Sequence, residues 1–433
     1  MPLGKRTNLE DRYRLGEVLG RGGMGVVYRA FDTQMKRDVA LKTLVDIDDN
    51  VSRELFYKEC GILAGMVHPN IISIYDLGEF EVDGVTKPFF VMPLLPGATL
   101  DKLIAEKSPR LTVEGVADMI GQACRGLHAA HGMGLVHRDV KPSNVFILND
   151  GSVKIIDFGI ARSGSSARQT TVKGTLPYMA PEAIRMNTPT AQADQYSLAV
   201  VCYEAFTGSR PFRGSTDTEL GNAILHNTPP PISDININVK LAISQVVHKA
   251  LAKQPWHRFP TTKDFGEALL KACRGEPLDC FDETAIAQRL AKATESFNSG
   301  DYEFASEILT ELEGEGYFDQ GITLLRRRVD QASRQRRVKQ LLDSATRYFE
   351  ANEYPLALRK IQESLELDPK NDDALSLKSR VERERRGKKV DEWLQLAQRH
   401  LENQAYQQAR DAVENALKLK PNDRRTQSVG GSG

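Results

Sequence analysis

Asp139, Lys141, Asn144 and Asp157 put a carboxylate, an ammonium, an amide and a second carboxylate into one stretch, Leu135 to Gly159, LVHRDVKPSNVFILNDGSVKIIDFG. These residue types abstract a proton, neutralise an anion and hold a hard cation. The middle of the stretch reads as a β-hairpin. The apolar run Val145, Phe146, Ile147, Leu148 is followed by the turn residues Asn149, Asp150 and Gly151, then by Val153, Ile155 and Ile156. A hairpin brings its ends together, so Asn144 before the first strand and Asp157 after the second are expected side by side. Mg²⁺ is usually held by one or two such oxygens, with water and substrate phosphates completing the shell, so the pair suits a metal–nucleotide complex. Asp139 lies five residues before Asn144, on a turn with Lys141 and Pro142, where it can meet a substrate hydroxyl beside that metal.

Other elements must carry this stretch. A long helix is expected over Thr112 to Gly134, with Val116, Met119, Ile120, Cys124 and Leu127 on one face. Tyr13 to Thr43 reads as three strands around the run Gly20-Arg21-Gly22-Gly23-Met24-Gly25. A GxGxxG pattern alone fits a dinucleotide-binding turn, a flexible hairpin or a loop over phosphates. Here a strand, Val26-Val27-Tyr28, follows the glycines, where a dinucleotide fold would start a helix. Glycines let the backbone lie close over phosphates and donate N–H groups to them. Ser52 to Met66 has helical spacing and ends at His68-Pro69, and Pro88 to Leu95 is a continuous apolar strand.

His137, Arg138, Asp139, Lys141, Pro142 and Asn144 match HRDxKPxN, six fixed positions that recur by chance in on the order of 10⁻⁵ of such chains or fewer. With Asp157-Phe158-Gly159 they resemble the catalytic loop and DFG segment of eukaryotic-type protein kinases. GRGGMGVVY and HRDVKPSN are most similar to the bacterial serine/threonine branch of that family. The resemblance implies an α+β two-lobed protein kinase fold, ATP and Mg²⁺ as cofactors with Mn²⁺ as a substitute metal, and transfer of the γ-phosphate to protein hydroxyls. In that resemblance Asp139 is the base, Lys141 neutralises charge near the γ-phosphate, and Asn144 and Asp157 hold the metal. Lys42, ending VALK, contacts the α- and β-phosphates and pairs with Glu59, nine residues before His68, Glu54 being the weaker candidate. The glycine loop, with Arg21 and Met24, covers the phosphates, and Val27 and Ala40 belong to the nucleotide site. Met92 guards the back of the adenine pocket, and Pro93 and Leu95 supply the hinge. Pro93 stands where the family often has an acidic residue; it lacks an N–H but keeps the carbonyl that adenine's amino group needs. Leu63, Ile74, His137 and Phe158 are implied as a packed stack.

Asp157-Phe158-Gly159 and Ala180-Pro181-Glu182 bracket a hydroxyl-rich segment that resembles an activation loop. Thr170 and Thr171 are its best phosphate acceptors, ahead of Ser163, Ser165 and Ser166, and a phosphate there would satisfy Arg138. Thr175, in GTLPY, is expected beside Asp139 and Lys141, which favours serine and threonine substrates over tyrosine. Asp194 is expected to cap the catalytic-loop backbone and Arg258 to pair with Glu182. The alternative function is a nucleotide-binding scaffold whose helices do the work; intact Lys42, Asp139, Asn144 and Asp157 speak against it. A small-molecule phosphotransferase is disfavoured by GTLPYMAPE, a segment suited to peptides.

Length and composition predict a multidomain globular chain, with 40% hydrophobic and 27% charged residues among 433. Lys+Arg and Asp+Glu are equal at 58, so no net field favours nucleic acid or an anionic membrane. The five cysteines are scattered without CxxC spacing, which fits reduced thiols, and no window approaches ~18 apolar residues, so a cytoplasmic chain without a membrane span is expected.

After GEPLDCFDE the chain repeats every 52 residues. Ala293, Ala345 and Ala397 are in register, as are Tyr302, Tyr354 and Tyr406, and Ala305, Ala357 and Ala409. The second and third copies resemble tetratricopeptide repeats, an all-α solenoid, although that family repeats about every 34 residues. The extra residues are expected to form long helices joining successive pairs. The run Arg326, Arg327, Arg328, Arg334, Arg336 and Arg337 reads as a solvated helix face. A protein partner or a regulatory contact with the kinase is expected on the repeats, with a spacer or a homodimerising element as the plainer reading. The expected organisation is a tail over 1–10, an N-lobe over 11–96, a C-lobe over 97–274, a linker over 275–284, helical repeats over 285–427 and a tail over 428–433, where SVGGSG reads as flexible or as a cloning scar.

Overall fold

A computed structural model describes residues 7–8, 12–22, 25–44, 50–82, 85–158, 175–186, 190–317 and 319–421. The chain divides into two compact units, Met1–Thr294 with Glu307–Thr323, and Glu295–Ser306 with Leu324–Gly433.

The first unit begins with a six-stranded sheet. Its strands are β1 (Thr7–Asn8), β2 (Tyr13–Gly22), β3 (Gly25–Asp32), β4 (Arg37–Leu44), β5 (Asp76–Val82) and β6 (Val85–Pro93), in the order β1-β5-β6-β4-β3-β2. The glycine run does connect strand to strand: Gly22 pairs with Gly25 across the β2–β3 hairpin. Gly25 has φ +151°, and a Cβ there would lie 1.9 Å from the Thr43 carbonyl oxygen, so only glycine fits. Helix α1 (Asn50–Ala64) presses Phe56, Cys60 and Leu63, each 1% exposed or less, into the core.

A helical lobe follows. Helix α2 (Leu100–Ala105) leads to α3 (Val113–Gly132), whose N-terminus is capped by the Thr112 hydroxyl accepting from the Gly115 N–H. The face foreseen for α3, Val116, Met119, Ile120, Cys124 and Leu127, is buried. Strand β7 (Gly97–Thr99) pairs with the hairpin β8 (Val145–Leu148) and β9 (Val153–Ile155). Helices α4 (Pro181–Met186), α5 (Ala191–Thr207), α6 (Asp217–His226), α7 (Ile232–Ile235), α8 (Leu241–Ala250) and α9 (Thr262–Arg274) complete the lobe. Helix α5 is apolar nearly all round and runs through the middle, with Tyr196 and Tyr203 fully buried; such side chains contribute about 1.5–3 kcal/mol each. The α9 N-terminus carries a capping box between Thr261 and Asp264.

The segment read as a linker packs onto this core through Leu278, Cys280 and Phe281. Lys249, at the end of α8, sits with its ammonium 5.8, 5.7 and 5.5 Å from the ring centroids of Phe259, Phe281 and Tyr317 and donates to the His257 carbonyl. Gly316 has φ +81°, and a Cβ there would lie 2.3 Å from the Lys249 Cα, so glycine permits the close approach.

The repeat elements are α10 (Glu283–Asn298), α11 (Tyr302–Gly314), α12 (Gln320–Glu350), α13 (Tyr354–Leu367), α14 (Asp372–Glu402) and α15 (Tyr406–Leu419). Helices α12 and α14 run for 31 residues each, which are the long joining helices the spacing implied. Gly300, Asn352 and Gln404 take the same left-handed turn, at φ +85°, +61° and +59°. In the second unit Ala345, Ala357, Ala397 and Ala409 are buried where paired helices touch. Among the described residues no helix is long and apolar enough to cross a membrane.

Candidate active site

Alternation along β4 puts Ala40 and Lys42 on one face. Ala40 is opposite Met92 on β6, and Lys42 is opposite Val27 on β3, so the four side chains share one surface of the sheet. Gly20 pairs with Val27, Pro93 ends β6 opposite Val39, and Leu95 follows two residues on, half-buried. Arg21 is exposed on β2. Gly23, Met24, Thr170 and Thr171 lie outside the described residues, as do Ser163, Ser165 and Ser166.

The loop before β8 gathers the polar chemistry. Asp139 is 5% exposed; its Oδ2 is 2.8 Å from the Lys141 ammonium, and its Oδ1 accepts from the Thr175 hydroxyl at 3.1 Å. Asn144 Nδ2 donates to the Asp139 carbonyl at 2.7 Å and to Oδ2 at 3.3 Å. The β8–β9 register, Val145 opposite Ile155, extends through a bond from the Ile156 N–H to the Asn144 carbonyl, which leaves Asp157 one residue past that junction. Asp157 takes a left-handed φ of +55°, a conformation Asp tolerates better than most residues.

Backbone strain before Asp139 is held by Asp194. Arg138 has φ +66°, and Asp194, 2% exposed, accepts from the N–H groups of His137 at 2.7 Å and Arg138 at 2.9 Å. His131 Nε2 meets the same carboxylate at 2.8 Å. His137 is fully buried, and that burial pushes its pKa below the ordinary value. Its Nδ1 accepts from the Asp139 N–H and its Nε2 faces the Ile156 carbonyl, the pattern of a neutral ring carrying its proton on Nε2. The His137 and Phe158 rings are 4.5 Å apart, and Leu63, Ile74 and Phe158 belong to one buried cluster. Arg258 grips Glu182 through two 2.7 Å bonds, as its position suggested.

One expected pair is replaced. Lys42 Nζ is 2.7 Å from Asp157 Oδ1, and Glu59 Oε1 is 3.1 Å from an Arg138 guanidinium nitrogen. The lysine and the helix glutamate have thus exchanged partners relative to the resemblance. The physical reason is α1, which delivers Glu59 to the catalytic-loop arginine rather than to β4. Two positioning residues were absent from the sequence reading. His131 gave no signal in AAHGMG. Asn70, which donates to the Val153 carbonyl and to Gln122, was hidden in a His-Pro-Asn helix stop.

Asn144 and Asp157 offer one amide and one carboxylate oxygen at the hairpin mouth, a hard-oxygen donor set that fits Mg²⁺ carried mainly by a nucleotide. Among the described residues no group of three or more His, Cys, Asp or Glu forms a self-sufficient metal cage.

Residues 13–271 match the family model described as the protein kinase domain. The chain is 38% identical over 278 residues to serine/threonine-protein kinase PknB of Mycobacterium tuberculosis, an overlap covering 63% of this chain and 44% of that protein. It is 39% identical over 292 residues to PknB of Mycolicibacterium smegmatis, covering 65% and 46%. The crystal structure of the Mycobacterium tuberculosis PknI kinase domain aligns at 29% identity and a TM-score of 0.48, over 60% of this chain and 95% of that one. The chain spans less than half the length of the curated relatives it matches.

Proposed function

The chain belongs to the protein kinase domain family, and from that premise we propose that it is a serine/threonine protein kinase transferring the ATP γ-phosphate to protein hydroxyls. The observation that carries the proposal is the Asp139 carboxylate, with Lys141 on one oxygen and an aliphatic hydroxyl, that of Thr175, on the other.

Val27, Ala40 and Met92 form the apolar wall for adenine, and the Pro93 carbonyl and Leu95 backbone supply the hinge. Lys42 leaves Asp157 to bind the α- and β-phosphates. Asn144 and Asp157 would hold Mg²⁺, which when bound would neutralise phosphate charge. Asp139 orients the attacking hydroxyl and takes its proton, while Lys141, 2.8 Å away, offsets negative charge arriving on the γ-phosphate. The protein's part is positioning and electrostatics rather than covalent chemistry.

Thr170 and Thr171 are proposed as autophosphorylation sites. The helical region after residue 284 is proposed to be tetratricopeptide-like and to bind protein, and the chain is proposed to act in the cytoplasm. The test is incubation with Mg²⁺ and labelled ATP beside Asp157→Ala, with mass-spectrometric mapping. Label on Thr170 or Thr171 in the parent and none in the variant supports the reading. ATP binding without transfer to the chain or to protein substrates removes it.

A further inference from the structure

The second repeat copy carries a cation where the other two carry core. Lys360 on α13 is the counterpart of Ile308 and Ala412, which are 7% and 3% exposed. An ammonium on that packing face costs desolvation that an apolar side chain does not. Lys360 opens instead on a cleft of about 360 Å³, which α12 lines with Arg337, Leu341, Ser344 and Arg347. Steps of three or four residues keep these α12 side chains on one face, and Arg337 and Arg347 lie about 15 Å apart along the axis. Leu341 is buried, Ser344 and Lys360 are half-buried, and both arginines are exposed. The first copy has Ala285 and Glu295 at the arginine positions. The third has Lys389 and Arg399 there, but Leu396 replaces Ser344 and Ala412 replaces Lys360.

The cleft keeps an excess of positive charge. Lys360 Nζ is 2.7 Å from Glu363 Oε2, and Arg359 Nε is 3.3 Å from Oε1 of the same carboxylate. Lys360, Arg359 and Arg337 together hold the Glu363 carboxyl below its ordinary pKa. Arg347 reaches only the Asp343 carbonyl and the Ser344 hydroxyl, each at 3.4 Å. Among the described residues neither Arg337 nor Arg347 has a carboxylate within ion-pair distance. Glu363 and the Asp343 side chain at the cleft leave the four cations in the majority.

We propose that this cleft binds a protein segment bearing a phosphorylated serine or threonine. Guanidinium forks match phosphate oxygens, and the Ser344 hydroxyl can donate to a third. A phosphate carries nearly two negative charges, enough to draw Lys360 from the single charge of Glu363. The arginines bracket about four or five residues of extended chain, at about 3.3 Å each, so the ligand is a short segment rather than a free anion. Glu363 and Asp343 interrupt the basic track, which repels an evenly charged polymer such as nucleic acid and spares one dianion set in neutral backbone. Such segments are the product of the reaction proposed for the first unit, and the choice of partner rests on that reading.

The probe is a short fluorescein-labelled peptide with one phosphothreonine between alanines, titrated by anisotropy into the full chain after phosphatase treatment and removal of the phosphatase, without ATP. Saturable binding is expected, weaker by about tenfold or more for the unphosphorylated peptide. Lys360→Ile installs the residue of the first copy, and Arg347→Ala trims an exposed side chain. Each should keep a Tm at or above that of the parent, within about one degree for Arg347→Ala, and weaken the phosphopeptide about tenfold. No binding at millimolar peptide, equal binding with and without the phosphate, or binding indifferent to both substitutions overturns the proposal. Displacement of the peptide by an equal concentration of inorganic phosphate would assign the cleft to a free anion, and displacement by an equal concentration of single-stranded DNA would assign it to a polyanion; either result also overturns it. Because the phosphopeptide is synthetic, its binding is read independently of whether the first unit transfers phosphate.

Discussion

Arg138 stands 3.1 Å from the Glu59 carboxylate, and this contact ties the catalytic loop to helix α1. A phosphate on Thr170 or Thr171 would compete for the same guanidinium with nearly two negative charges. Glu59 would then be free to turn to Lys42, and Lys42 would release Asp157. In the parent, autophosphorylation is expected to raise peptide phosphorylation about tenfold over phosphatase-treated protein, the equivalent of one charge-assisted hydrogen bond of about 1.5 kcal/mol. Arg138→Gln should compress that ratio to about twofold or less. A variant that keeps the full ratio would mean that the phosphate acts elsewhere.

Asp139→Asn keeps the size and hydrogen-bonding reach of the side chain but cannot take a proton. Removal of about 3–5 kcal/mol of transition-state stabilisation lowers kcat by roughly 10²–10⁴. ATP affinity, read by calorimetry, should stay within about twofold, because the apolar wall and Lys42 are untouched. Lys42→Met should show the opposite emphasis, with nucleotide affinity falling first.

Asp194→Ala removes the acceptor for the buried His137 N–H and the partly buried Arg138 N–H. At about 1–3 kcal/mol for each orphaned donor, the loss is about 2–6 kcal/mol. A lowered Tm by scanning calorimetry, together with a reduced kcat at unchanged ATP affinity, is the expected signature. Asp194→Asn retains one acceptor oxygen and should fall between the two.

His248 on α8 is 4% exposed, and its burial lowers its pKa to about 4. The unfolded chain binds that proton near pH 6.5 and the folded chain only near pH 4, so stability is fully present above about pH 6.5 and declines as pH falls toward 4. The decline amounts to about 3 kcal/mol from this residue. Urea midpoints at pH 7.5 and 4.5 should differ less in His248→Gln than in the parent, a comparison that cancels the common titration of carboxylates.

The local chemistry was legible in the residues because it is local. The β8–β9 hairpin, the helix that starts near Thr112 and the convergence of Asp139, Lys141 and Asn144 depend on neighbours within a few positions. The partner of Glu59 was not legible, because it follows from how Phe56, Cys60 and Leu63 seat α1, which is tertiary packing. The Lys249 cage was hidden for a similar reason. Phe281 is a lone aromatic in a polar stretch and Tyr317 sits beside Phe318 in another, and the one local hint is the glycine at 316. The arginine run on α12 was read as a solvated face, and Arg328 and Arg336 are indeed exposed; their stacking on Phe297 and Tyr302 shows only when helices are placed side by side.

Helices α12 and α14 each serve two hairpin tips: α12 lays the cations Arg328 and Arg336 over the ring pair Phe297 and Tyr302, α14 lays Arg380 and Lys388 over the ring pair Phe349 and Tyr354, and each forms the first arm of its own hairpin. That double service restricts how the region can change in copy number. Excision of residues 324–375, one full repeat, would join the segment before one cation pair to the equivalent point of the next, and each remaining ring pair would keep a cover. A loss two residues shorter or longer would rotate everything downstream by about 200° and carry the cations to the far side of the helix. Lengths in this family of helices should therefore differ by whole repeats, with smaller insertions confined to the turns at Gly300, Asn352 and Gln404.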